Sequence, residues 1–151
     1  MNVREATTDD LPELLRMGEM FASCIGASIE YDEASFAETL RGMIENDQAT
    51  VMVAEGASIV GMIAGLLFPA FFNHAHLTGQ ELVWWVDPEH RRGRAGIMLF
   101  SALEDWAKES GAQTFSMMSI EPLKTDEVNQ MYERKGYTVH EHSFIKELTW
   151  Q

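Results

Sequence analysis

Val86-Asp-Pro-Glu-His-Arg-Arg-Gly-Arg-Ala-Gly-Ile97 is the stretch on which the reading of this chain turns. Before it, Glu81-Leu-Val-Trp-Trp-Val86 carries the branched and aromatic residues of a strand. After it, Leu99, Leu103, Trp106 and Ala107 recur at the spacing of one helix face, with Gly111 as the C-cap. A helix that starts at such a turn presents unpaired N–H groups and a partial positive charge. Gly93 and Gly96, with small Ala95 between them, let a ligand approach the backbone, and Arg91, Arg92 and Arg94 add charge. Together these are the parts of a diphosphate cradle. A tight turn also needs glycine where no ligand binds, so the residues alone leave both readings open. Other phosphate loops fit worse: the chain has neither G-x-x-x-x-G-K-[ST] nor G-x-G-x-x-G, and it is short for a two-half dinucleotide domain.

Outward from the turn, the pattern predicts one α/β domain over residues 1–151. Val3 to Thr7 reads as a strand. Thr7 and Thr8 offer a cap and Asp9 and Asp10 suit the start of a helix, whose stripe of Leu11, Leu14, Leu15, Met17, Gly18 and Phe21 runs to about Ile25. Cys24 falls within that helical pattern and reads as a buried small hydrophobe. Asp32 caps a second helix with Phe36, Leu40, Met43 and Ile44 on one face. Ala49 to Glu55, Ile59 to Phe68 and Leu77 to Val86 are three consecutive strands, the first two joined at Gly56-Ala-Ser. Beyond the central helix come a strand from Gln113 to Ile120, a helix from Glu127 to Lys135 stopped by Gly136, and a closing pair of strands, Tyr137 to Glu141 and Phe144 to Leu148. The order is β-α-α-β-β-β-α-β-α-β-β, a mixed, mostly antiparallel sheet with flanking helices.

The 151 residues, 46% hydrophobic and 23% charged, suit one globular core. One cysteine excludes an internal disulfide or a cysteine-rich zinc site. His74-x-His76 has no nearby cysteine and reads as a loop rather than a metal pair, so no metal is expected. The N-terminus lacks the basic and apolar blocks of a signal peptide. The longest apolar stretch, residues 59–72, is broken by Gly61, Gly65 and Pro69, so no membrane span and a cytoplasmic protein are expected. The net charge of −13 is uneven: residues 1–50 hold 11 acids and 3 bases, whereas Arg91, Arg92 and Arg94 lie within four positions. A surface this acidic argues against nucleic acid, while the arginine island suits a local polyanion.

Val86-x-Pro-Glu-His-Arg91-x-x-x-x-Gly96, followed by Leu99, resembles the acetyl-CoA-binding motif of the GNAT-superfamily N-acetyltransferases, [RQ]-x-x-G-x-[GA]. Met131-Tyr-Glu-Arg-Lys-Gly-Tyr137 resembles that family's C-terminal segment, and Val3-Arg-Glu-Ala-Thr-Thr-Asp-Asp-Leu11 its usual opening. The three stand in the family's order and span nearly the whole chain. One position departs: the motif's fourth residue is normally glycine and is Arg94 here, with glycine one place earlier at Gly93.

The resemblance implies a GNAT-like fold with a splayed pair of strands and acetyl-CoA as cosubstrate. Main-chain groups of Trp84 and Val86 would pair with the pantetheine arm, and N–H groups from Gly93 to Ile97 would hold the diphosphate. Tyr132 would be the general acid. Glu81 is the candidate base, with Glu121 or a water chain as competitors. Simple alternation puts Glu81 on one face with Val83 and Trp85, and a bulge would reverse that. The implied reaction is acetyl transfer to a primary amine. The alternative is a CoA-binding sensor or interaction module without catalysis. A small cationic amine or Lys-rich peptide suits the acidic N-terminal third, where Glu30, Asp32 and Glu33 cluster, and a second copy of the chain is a further candidate partner.

Overall fold

The computed structural model describes residues 1–26, 29–120, 123 and 125–148. The elements are β1 (Asn2–Glu5), α1 (Leu11–Cys24), α2 (Glu33–Ile44), β2 (Ala49–Glu55), β3 (Ile59–Ala70), β4 (Asn73–Val86), α3 (Ala95–Glu109), β5 (Thr114–Ser116) and α4 (Thr125–Arg134). The sheet runs β1-β2-β3-β4-β5 in space. The first four strands are antiparallel and β5 joins β4 in parallel. The crossover through α3 makes that parallel step possible.

Each face of the sheet buries a helical layer. Leu11, Leu14 and Met17 of α1 and Leu40 of α2 pack on Val53, Met62, Val83 and Trp85. Leu99 and Leu103 of α3 pack on Ala54, Ile63 and Val86. Central strands covered on both faces lose the alternation of a half-exposed strand, which is why Val51 to Ala54 and Ile59 to Gly65 are continuously buried. The entry to α1 is set by Asp10. It is 8% exposed, and it accepts Arg4 Nη1 at 2.8 Å, Arg4 Nη2 at 3.0 Å and the Thr7 N–H at 2.8 Å. Arg4 holds the Asp10 carboxyl below the ordinary range, against its burial. Asp32 caps α2 by accepting the Ser35 N–H at 2.7 Å.

Four expectations are corrected. His74 and His76, read as loop residues, lie in β4, which begins at Asn73 rather than Leu77. The closing strands at residues 137–141 and 144–148 do not form, and Val139, Phe144, Ile145 and Leu148 are 70–93% exposed. Phe144 and Ile145 are consecutive and would face opposite sides of a strand, and polar Lys146-Glu147 follows, so no single face gains enough apolar burial. The strand expected from Gln113 to Ile120 is only Thr114–Ser116, for a reason given below. Cys24 is exposed. It is the last residue of α1, whose stripe enters the core at Leu11, Leu14 and Met17 but is only half-buried by Phe21.

α1 and α2 meet so closely that a Cβ at Gly18 would run into the Phe36 ring. Gly18→Val is therefore expected to cost about 1–3 kcal/mol by overpacking. Urea unfolding checks this: the midpoint should fall with the slope unchanged. An unchanged midpoint would show that Phe36 turns aside freely.

Candidate active site

β4 pairs with β3 along nearly its whole length but with β5 only over Thr78, Gly79 and Gln80, against Thr114, Phe115 and Ser116. Beyond Gln80 the two strands part. The β3–β4 register shifts between Ala64 and Gly65, so that Ala64 faces Val83 while Gly65 faces Glu81, and Leu82 is the extra residue of a bulge. A Cβ at Gly65 would lie 2.9 Å from Leu103 of α3, so the Gly65–Glu81 pair looks toward α3. The bulge thus moves Glu81 off the face of Val83 and Trp85 and onto the face of Trp84 and Val86.

There Glu81 is 4% exposed and its Oε2 accepts the Met118 N–H at 3.1 Å. The Tyr132 hydroxyl, from α4, donates to the Met118 carbonyl at 2.7 Å. One residue of the segment that continues from β5 therefore holds a carboxylate by its N–H and a phenol by its C=O. The Tyr132 ring is fixed among Trp84 at 6.4 Å, Phe100 at 6.2 Å and Tyr137 at 5.8 Å between centroids. Tyr137 is itself anchored by donating to Glu104 Oε2 at 2.7 Å. Burial pushes the Glu81 carboxyl up to about 7, partly opposed by the Met118 N–H. Burial also raises the Tyr132 hydroxyl, with the Glu81 charge adding to it, so the phenol stays protonated across the neutral range.

The arginine-glycine turn lies at the far end of β4. Gly93 N–H donates to the His90 carbonyl at 3.0 Å, and the helical ladder opens with Met98 N–H on Arg94 O at 3.0 Å. Arg94 is the N-cap and makes no side-chain cap. The N–H groups from Arg94 to Ile97 thus stand ahead of the ladder, as in any helix start, whereas that of Gly93, expected among them, is taken by the His90 carbonyl. Gly96 does not adopt the left-handed conformation, and a Cβ there would sit 3.6 Å from Trp84 and 3.8 Å from Val86, ordinary contact distances. Neither backbone strain nor internal packing requires glycine at this position, which suits close approach from outside. Trp84 Nε1, in the same wall, is buried without a partner among the described residues, and a buried N–H of that kind calls for an acceptor. These features fit a diphosphate-bearing thioester lying along β4. Arg91, Arg92 and Arg94 are all exposed, and Arg91 also turns back: its Nε donates to Val86 O at 2.8 Å and its guanidinium lies 4.5 Å from the Trp85 ring centroid.

The structure thus brings Glu81 and Tyr132 together and sets Trp84, Val86 and the residues from Arg91 to Ile97 at the end of the same strand. Glu121 lies outside the described residues. Met118, whose role is carried by its backbone, left no signal in the sequence, nor did Arg16, whose side chain reaches Asp87 from 71 positions away. No cluster of three metal-ligating side chains occurs among the described residues, and no described helix is long and apolar enough to cross a membrane.

The profile of the Acetyltransferase (GNAT) family matches residues 13–137. No curated protein sequence matches the chain at a significant level. Among solved structures, a transcriptional regulator from Bacillus halodurans C-125 superposes with a TM-score of 0.77 at 17% identity, over 97% of this chain and 99% of that one. A protein of Clostridium acetobutylicum described as a predicted acetyltransferase and solved with acetyl-CoA gives 0.76 at 14% identity, over 97% and 95%. An aminoglycoside antibiotic 6'-N-acetyltransferase from Acinetobacter haemolyticus gives 0.74 at 19% identity, over 100% of both chains. At these identities the likeness is one of fold. The family match is of another kind, because it spans most of the chain and takes in Glu81, the turn and Tyr132: the chain belongs to the acetyltransferase (GNAT) family.

Proposed function

We propose that the chain transfers the acetyl group of acetyl-CoA to a primary amine by direct attack in the gap between β4 and β5, with Glu81 as general base and Tyr132 as general acid. The observation that carries this reading is the convergence of both side chains on Met118, at the point where the strands part. Glu81 takes the proton that the attacking amine must lose. A carboxylate with a pKa near 7 is matched to that task, since it is both ionised and basic at neutral pH. As the new N–C bond forms and the C–S bond breaks, Tyr132 supplies a proton to the departing thiolate. Its hydroxyl must then exchange the Met118 carbonyl for the sulfur. The N–H groups from Arg94 to Ile97, with Arg92 and Arg94, hold the diphosphate.

For the acceptor, a small cationic amine or a Lys-rich peptide is the class that suits exposed Glu30 and Glu33. Asp32 contributes less, because one of its oxygens is committed to capping α2. The shared fold with an aminoglycoside acetyltransferase agrees with a polyamine-like acceptor.

The Glu81 pKa yields two linked expectations. In a thiol-release assay with acetyl-CoA and a primary amine, kcat/KM should rise with pH through an inflection near 7, and Glu81→Gln should lose that inflection along with most of its activity. The same raised pKa acts on stability with opposite sign. The folded state binds the proton more tightly than the unfolded state, so the stabilisation is complete below about 4.5 and is lost as pH rises through about 7. Above that pH the buried charge costs about 3 kcal/mol, which the neutral Gln avoids. Glu81→Gln should therefore melt higher than wild type at pH 8 and no higher at pH 4. A flat pH–rate profile together with unchanged melting at pH 8 would remove Glu81 as the base.

Tyr132→Phe keeps the ring packing and deletes the proton donor. Turnover is expected to fall roughly 10- to 1000-fold with CoA affinity retained. CoA binding without turnover in the wild type, across a panel of amines, would favour the non-catalytic module instead.

A further inference from the structure

The turn that follows β4 is fixed at its first residue by a side chain of α1. Asp87 directly succeeds the strand. Its N–H donates to Val60 O at 2.9 Å and its carbonyl accepts the His90 N–H at 2.8 Å, so the course of the turn starts from its position. Its side chain is 9% exposed and the carboxylate accepts three hydrogen bonds: Arg16 Nη1 at 3.1 Å, Arg16 Nη2 at 2.8 Å and Trp85 Nε1 at 3.0 Å. Arg16 is in turn steadied by Glu13, one helical turn back, at 2.9 Å. Burial alone would push Asp87 up; the Arg16 fork and the indole reverse this and hold it below the ordinary carboxylate range.

We propose that Arg16 is a positioning residue for the cofactor turn, setting through Asp87 and Trp85 where the N–H groups from Arg94 to Ile97 stand. This rests on the reading of that turn as the acetyl-CoA site. A two-pronged guanidinium fixes the plane of a carboxylate as well as its charge. Trp85, held to the same carboxylate, lies under the guanidinium of Arg91, which is hydrogen-bonded to Val86 O. Arg16 therefore braces one end of a chain of contacts, Asp87 to Trp85 to Arg91, that runs back into the turn. Without the fork, Asp87 keeps one side-chain donor. A buried carboxylate in that state takes up a proton or moves toward water, and residue 87 moves with it. The reacting end of the site is held separately, because Glu81 and Tyr132 are fixed by Met118 and make no hydrogen bond to this group. Loss of Arg16 should therefore weaken cofactor binding and spare the chemical step.

The test measures CoA affinity by calorimetry and acetyl transfer by steady-state kinetics for wild type, Arg16→Gln, Arg16→Lys and the double variant Arg16→Gln/Asp87→Asn. For Arg16→Gln, the Kd for CoA and the KM for acetyl-CoA should rise about tenfold, which is about 1.4 kcal/mol of binding, while kcat stays within about twofold. Arg16→Lys, which restores the charge but not the fork, should recover part of the affinity. The double variant removes the stranded charge, so it should recover the melting temperature but not the affinity, which keeps the test decisive if Arg16→Gln folds poorly. Wild-type affinity in a folded Arg16→Gln or in the double variant overturns the inference alone. So does a parallel fall in kcat and affinity, which marks a general structural role. A wild type that binds no CoA overturns the assignment of the turn, and this inference with it.

Discussion

A backbone N–H inside a sheet ordinarily finds its acceptor on the neighbouring strand. At Met118 the acceptor is the Glu81 carboxylate instead. Pairing between β4 and β5 has ended by then, at Gln80 and Ser116. The side chain fills the place that a continued ladder would have filled, and the strands separate with that N–H still satisfied. The rest of the site depends on this exchange. The freed length of β4 becomes a wall with a strand on one side only, and the Met118 carbonyl becomes available to Tyr132. The arrangement also carries a cost. A carboxylate buried with a single N–H partner is poorly solvated, and its charge weakens the fold above neutral pH. The two well-packed layers on either face of the sheet bear that cost, and the group so strained is the one proposed to accept the proton of the amine.

The two ends of the parted half of β4, Glu81 and Val86, are organised by opposite charges. At the Glu81 end the ionisable groups are acids shielded from water. At the Val86 end Asp87 is buried but tied to Arg16, and Arg91, exposed like Arg92 and Arg94, also lies over Trp85. In a protein of net charge −13, a local excess of arginine beside a helix start is where an anion meets least repulsion. All three arginines are exposed beside the helix start, and Arg91 also braces the strand end through Val86 O.

Most of the fold was legible because its elements obey simple periods. From Asn2 to Glu109 the helix stripes and the run of three strands appear where the spacing of apolar residues puts them, except that β4 begins four residues early and takes in His74 and His76. The failures have local causes. The strand after α3 stops at Ser116 because its next donor is committed to a side chain 37 positions away, and no local pattern encodes that. The strands read over residues 137–148 rested on β-forming residue types, but consecutive Phe144 and Ile145 offer no common face. For the site, alternation placed Glu81 with Val83 and Trp85; the bulge at Leu82 reverses this, and bulges depend on pairing that a single strand does not show. Tyr132 was visible only through its flanking residues, and Arg16 carried no signal because its partner lies on another element.

The central claim is that acetyl-CoA lies along the parted half of β4, from the turn to Met118. Amide chemical shifts followed by NMR during titration with CoA test it most directly. The account predicts that the largest changes fall on Arg94 to Ile97, on Leu82 to Val86 and on Met118, with the amides of α1 and β1 little moved. Changes centred instead on the cleft between β5 and the segment from Tyr137 to His140, with Met118 and the turn unperturbed, would contradict it.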